Sequence, residues 1–244
     1  MPAASADIYK PDESRYVRRM ASVADDLASV LEAIAQSLQE APSPAETLEV
    51  LTNAAVYLIE GTDYAAVTMI QGRKALETVA ATDVLVRTID QAQYDAQQGP
   101  CLDALYEVDV VRMNDMEAEE RWPEFTARAR GHGVCSMMCF RLFQRGSDAA
   151  ALNTYARERD AFTDNDELTG RLLATHAAVA LAAARNVDHL EHAVDSRDVI
   201  GQAKGILMER HNLTGDAAFR LLVQASQTTH IKLIEVARRV AQRE

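Results

Sequence analysis

Apolar residues recur at helical intervals near both ends of the chain and alternate at strand intervals through its middle. Within Glu13 to Gln39, the residues Tyr16, Met20, Val23, Leu27, Val30 and Ile34 alternate spacings of four and three. That is the seam of a helix that pairs with a partner or packs on its own domain. Pro42 and Pro44 end it, because proline cannot continue a helix and biases the preceding residue away from helical geometry. The next stretch predicts a helix from Pro44 or Ala45 to Leu58, then strands Tyr64 to Ile70 and Leu76 to Ala81 around a turn at Gln71 and Gly72. Helical spacing returns over Val84 to Tyr94 and stops at Gly99 and Pro100. A strand over Val108 to Met113, a helix over Trp122 to Arg130, and strands over Val134 to Phe143 and Ala149 to Tyr155 complete the segment. This order predicts an α+β domain built around an antiparallel sheet.

No proline follows Thr163, and Leu168, Leu172, His176, Val179, Ala183, Val187, Leu190 and Val194 hold helical spacing into Val199 and Leu207. A continuous helix there would run for about 48 residues and roughly 70 Å. One small domain cannot bury that length, so self-association is expected, and the N-terminal seam favours a homodimer. Gly170, Gly201 and Gly205 are candidate weak points, and Ser196 to Asp198 is a candidate hinge.

Three helices are expected at the C-terminal end. Val199, Ala203, Ile206, Leu207 and Arg210 carry the first, with His211 and Asn212 as its polar stop. Thr214 can cap the second, which would bury Ala217, Ala218, Leu221, Leu222 and Ala225. Ser226 to Thr229 read as a polar joint whose threonines can cap a third, with Leu233, Val236, Ala237 and Val240 on one face. The chain thus divides into an N-terminal tail and helix (1–43), a sheet domain (44–186), a helical linker (187–196) and an all-α domain (197–244).

Charge sets the last segment apart. The 244 residues carry a formal charge of −12, yet from Arg197 onward the balance is about +3, leaving about −15 on the rest. Only this tail is electrostatically suited to a polyanion. Lys232, Arg239 and Arg243 project from nearly the same side of its third helix, which an ordinary solvated face would also produce. No apolar run approaches the roughly 18 to 20 residues of a membrane span, and the N-terminus lacks the apolar core of a secretory signal. Three cysteines, an odd number, fit free thiols in a reducing cytoplasm.

The strings IGQAKGILMER (Ile200 to Arg210), DAAFRLL (Asp216 to Leu222) and ASQTTHIKLIEVA (Ala225 to Ala237) resemble an ANTAR domain, the three-helix RNA-binding module of bacterial antitermination regulators. The resemblance implies recognition of paired hairpins in nascent transcripts by a dimer. It implies RNA contacts at Lys204, Arg220, Ser226, Gln227 and Lys232, with His230 and Arg239 on the same surface. Ala203, Gly205, Ala218, Leu222 and Ala237 read as packing positions. Val223, His230 and Ile231 depart from the family, which usually carries Arg, Asn and Arg there, and so remove basic groups. A regulatory scaffold acting through protein partners, its RNA binding lost, is the alternative.

The middle segment resembles a GAF domain through GPCLDAL (Gly99 to Leu105), RWPEFTARA (Arg121 to Ala129), SMMCFRLF (Ser136 to Phe143) and ALNTYA (Ala151 to Ala156). This implies a regulatory input, with a possible small-molecule ligand of unknown chemistry. Cys101 follows Gly-Pro at a helix start, where the helix dipole would lower its thiol pKa, or it is a small buried residue. Some GAF proteins are cysteine-dependent reductases, and that activity would need Cys101 to meet Cys135 or Cys139. No such motif is present. Cys135 and Cys139 in an extended strand would lie about 13 Å apart, too far for a disulfide. His189 and His192 sit three apart with no third ligand suggested, so no metal site is expected.

Overall fold

A computed structural model of the chain describes residues 29–72 and 75–242, with only the backbone of 188–194. The N-terminal seam residues Tyr16, Met20, Val23 and Leu27, the side chains of His189, Leu190, His192 and Val194, and Arg243 lie outside the described residues. Two compact units emerge, Met1–Ala184 and Arg185–Glu244.

In the first unit, α1 (29–40) precedes α2 (Pro44–Leu58), which starts at Ser43, whose hydroxyl accepts the Glu46 N–H at 3.2 Å. Strands β1 (Tyr64–Ile70) and β2 (Glu77–Ala81) follow, then α3 (Val84–Ala96) and α4 (Pro100–Tyr106). After β3 (Val110–Met113), α5 (Pro123–Ala129), β4 (Ser136–Arg145) and β5 (Asp148–Ala156), the chain enters α6 (Asp164–His211). The five strands are antiparallel in the order β2-β1-β5-β4-β3.

Alternation along the strands sorts side chains onto two faces, and both are apolar. Val67, Met138, Phe140 and Leu152 meet Leu38, Leu51 and Ile59 from α1, α2 and the chain just beyond, and Leu173 and Ala177 from α6. The opposite face packs Met137, Cys139, Ala151 and Tyr155 against Val86, Ile89, Leu105 and Phe125 from α3, α4 and α5. The described part of the N-terminal helix therefore packs on its own domain through Ile34 and Leu38.

The long helix is continuous through all three suspected weak points, at 48 residues. Gly170 is there for space, since a Cβ would run into the Phe140 ring. Gly201 and Gly205 face open space, so Gly205 is not a packing position within this chain.

In the second unit, the end of α6, α7 (Gly215–Thr229) and α8 (Leu233–Ala241) meet on Ala203, Leu207, Ala218, Leu222 and Ala237, where alanines allow close approach. Thr214 caps α7 as its sequence position suggests, accepting the Ala217 N–H at 3.3 Å. Two expectations fail. Leu221 is 46 % exposed, so the buried stripe of α7 is narrower than expected. Ser226 to Thr229 are not a joint but the last turn of α7: the Ser226 and Thr229 hydroxyls donate to the carbonyls of Ile231 (2.6 Å) and Ala225 (2.7 Å). His230 in the left-handed region (φ 56°) stops the helix, and α8 begins after Lys232 with no side-chain cap.

Gly170→Ala is expected to destabilise the chain by about 1–3 kcal/mol through overpacking against Phe140. Gly201→Ala should stabilise it by up to about 1 kcal/mol, because alanine loses less entropy in a helix. Urea unfolding of the two variants checks both signs.

Candidate functional site

The cationic residues of the C-terminal unit lie on its outer faces. On α7, Arg220 and Gln227 are seven residues apart, close to two turns, and both are exposed. Lys232 and Arg239 repeat that spacing at and along α8, and both are exposed. Lys204, half-buried on α6, runs across the start of α7, its Nζ 3.7 Å from where a Cβ on Gly215 would stand. None of Lys204, Arg220, Lys232 and Arg239 has an ion-pair partner among the described residues. Arg238 differs, held by Glu235 at 2.6 Å.

Two members of the expected contact set are tied into the backbone. Ser226 spends its hydroxyl proton on the Ile231 carbonyl, fixing the turn that presents Lys232. His230 is exposed but occupies the left-handed cap, a conformation glycine and asparagine adopt at lower cost. Val223 and Ile231 are partly buried.

In the first unit a polar cluster fills the space between the sheet and α3. Asp90 is fully buried and accepts from Tyr155 Oη (2.5 Å), Thr78 Oγ1 (2.9 Å), Asn153 Nδ2 (3.2 Å) and Gln93 Nε2 (3.2 Å). Thr68, Thr78 and the Tyr94 hydroxyl extend the network, and Asn153 Nδ2 also reaches Thr68 Oγ1 at 3.0 Å. Arg87 bonds the Thr78 carbonyl rather than the carboxylate. Burial pushes the Asp90 carboxyl up to about 6, against the opposing pull of its hydrogen bonds from Tyr155, Thr78 and Asn153. These residues escaped the sequence reading. The available signal was Thr68, Asn153 and Tyr155 on alternate strand positions, together with Asp90 and Gln93 beside Val86 and Ile89 on one helical face.

Cys101 is not an activated thiol. It stands at the start of α4, as expected, but is fully buried, and burial with Asp90 nearby pushes its thiol up to about 12. The seven-residue helix supplies too small a dipole to offset desolvation. Cys139 is buried and raised for the same reason, while Cys135 lies half-buried just before β4. Both buried thiols stay neutral at physiological pH, which is unsuited to nucleophilic cysteine chemistry. Among the described residues no group of three or more His, Cys, Asp or Glu could hold a metal, and no helix is long and apolar enough to cross a membrane.

The first unit is an antiparallel sheet covered by helices on both faces, and the second is a group of three helices packed on alanines. Family models match a GAF domain over residues 41–182 and an ANTAR domain over residues 188–240. The chain belongs to the GAF family and carries an ANTAR domain after it, the arrangement of a GAF-ANTAR regulator. No curated protein matches it.

Solved structures place the sheet domain in the GAF fold. The GAF domain of a phosphoenolpyruvate-protein phosphotransferase from Coxiella burnetii is 14 % identical with TM-score 0.52, over 67 % of this chain and 96 % of that one. Free methionine-R-sulfoxide reductase from Neisseria meningitidis is 16 % identical with TM-score 0.53, over 66 % and 91 %. An N-acylhomoserine lactone dependent transcription factor from Burkholderia cenocepacia is 15 % identical with TM-score 0.51, over 66 % and 98 %. At these identities the likeness is one of fold.

Because Asp90 binds its proton more tightly folded than unfolded, its contribution to stability is full below about pH 3.8 and is lost as pH rises through about 6. Lowering pH from 7.5 to 5.5 should therefore stabilise the sheet domain by about 1 kcal/mol, and Asp90→Asn should flatten that dependence. Thermal unfolding across the interval checks it. His230→Asn should stabilise the hairpin by up to about 1 kcal/mol, read from its helical signal on heating.

Proposed function

We propose that the chain is a cytoplasmic, signal-responsive regulator whose ANTAR domain binds hairpins in nascent RNA and thereby controls transcription termination. The observation that carries this reading is the set of cations without ion-pair partners among the described residues, Lys204, Arg220, Lys232 and Arg239, on an otherwise acidic chain. Gln227 adds an amide able to bond bases or phosphates beside Arg220. Ser226 and His230 hold the turn between α7 and α8, and His230 adds an exposed imidazole there.

A homodimer fits the same reading. Leu168, Leu172, Val179 and Val187 are exposed on α6 and fall within about 100° of one another around its axis. Signals received by the GAF domain would act through this helix. Leu172→Glu with Val179→Glu should convert a dimer into a monomer in light scattering after size exclusion.

A second reading has its own observation: Phe219 and Leu221, on either side of Arg220, are 40 % and 46 % exposed, which suits a protein partner. Titration against a pool of two-hairpin RNAs at several salt concentrations separates the two. RNA binding should weaken with salt. Lys204→Ala with Lys232→Ala should weaken it further and lower the magnitude of the log–log salt slope by about 2. Absence of selective binding at low salt by a folded dimer would favour the protein-partner reading.

A further inference from the structure

On the face of the sheet opposite the Asp90 cluster, α6 leaves space beside the strands. At Gly170 its backbone lies against the Phe140 ring. One and two turns further on, Ala174 and Ala178 present only methyl groups, and a groove of about 350 Å³ opens between α6 and the β3–β4 edge. Its floor is apolar, formed by Val110, Phe140, Leu142 and Ala174. The pairing of β4 with β5 shifts register between Arg141 and Phe143, a bulge that bends the strand beside the groove. Size and lining are those of a small-molecule site.

The charged groups of the groove favour an anion. Arg141 and Arg171 line it together with one carboxylate, Asp109. Arg141 holds Asp109 through Nε at 3.0 Å and through Nη2, and reaches Gln144 from Nη1 at 3.3 Å. Arg171 spends Nε and Nη2 on Glu167 Oε1 at 3.0 and 2.8 Å, and its Nη1 has no hydrogen-bond partner among the described residues. Both arginines are oriented by acids, yet a guanidinium carries more N–H groups than either of these pairs uses. A cation would have to compete with Arg141 for the one carboxylate of the lining. An anion meets an unused donor edge on Arg171, whose side chain is 49 % exposed.

We propose that this groove binds a small amphipathic carboxylate, its hydrocarbon chain on Phe140, Leu142 and Ala174 and its carboxylate on Arg171 Nη1, with Arg141 as the second cation. Val179 lines the groove and also belongs to the exposed apolar face of α6 proposed above for the homodimer. Occupancy and self-association would then share a residue, which gives the ligand a route to the quaternary state. The proposal rests on the sensor role of the first unit and not on RNA binding by the second.

Isothermal titration of the full chain with sodium octanoate, against matched sodium chloride, tests it. Saturable binding at one site per chain is expected, with n-octanol and n-octylammonium chloride weaker on the order of tenfold. Arg171→Ala should weaken octanoate binding by roughly tenfold. Asp109→Asn, which releases Arg141 and removes a like charge, should tighten it, and Ala178→Phe, which fills the groove, should abolish it. Arg145→Ala, exposed on β4 outside the groove, should leave it unchanged. Absence of saturable binding by the folded chain, which a second copy covering the groove would produce, overturns the proposal. So does binding indifferent to Arg171→Ala, or equal affinity for octylammonium, either of which marks adsorption on exposed apolar surface. If Ala178→Phe does not fold, Arg171→Ala decides, because that side chain is half exposed and lies outside the core. RNA affinity plays no part in these readouts, so failure here leaves the antitermination reading standing.

Discussion

A five-stranded sheet with apolar side chains on both faces has to be covered twice, and this constraint arranges most of the molecule. One cover is α2 with the end of α1 and the start of α6; the other is α3, α4 and α5. Burying a Val, Leu, Met or Phe side chain is worth roughly 1.5–3 kcal/mol, so the apolar residues on the two faces supply the dominant favourable term. Gly170 shows how closely the first cover is drawn, because there the α6 backbone lies against an aromatic ring. The second cover is different in kind. It seals in a carboxylate, and four neutral donors hold that group in place at the cost of its solvation.

Much of this architecture was legible in the chain. The apolar run Tyr64 to Ile70 marked β1 from end to end, and the proline-free run after Thr163 marked α6 as one helix. The fold of both domains followed from short strings in register. Legibility failed where a polar residue has two possible roles. Ser226 to Thr229 have the composition of a joint, but the Thr229 hydroxyl bonds back to the Ala225 carbonyl and the Ser226 hydroxyl forward to that of Ile231, so they finish a helix instead. Cys101 stands at a helix start, yet burial outweighs position. Asp90 looks like any charged residue on an amphipathic helix until the strand residues facing it are known.

The candidate RNA face was legible in residue type and less so in role. Arg220, Lys232 and Arg239 are exposed as the charge pattern implies. Ser226 and His230 are backbone devices, because the tight α7–α8 turn is closed by a left-handed residue and a hydroxyl. The asparagine usual in the family at the His230 position is suited to that same backbone conformation, which gives its usage a conformational reason.

The single helix α6 contributes to the cores of both units, through Leu173 and Ala177 at one end and Ala203 and Leu207 at the other. Starting a helix is its costly step, since several residues must be fixed before the first hydrogen bond compensates. The ANTAR hairpin avoids that step for its first helix, which grows as an extension of one already seeded on the sheet. During synthesis the GAF domain emerges first, so the order of translation and the order of nucleation coincide.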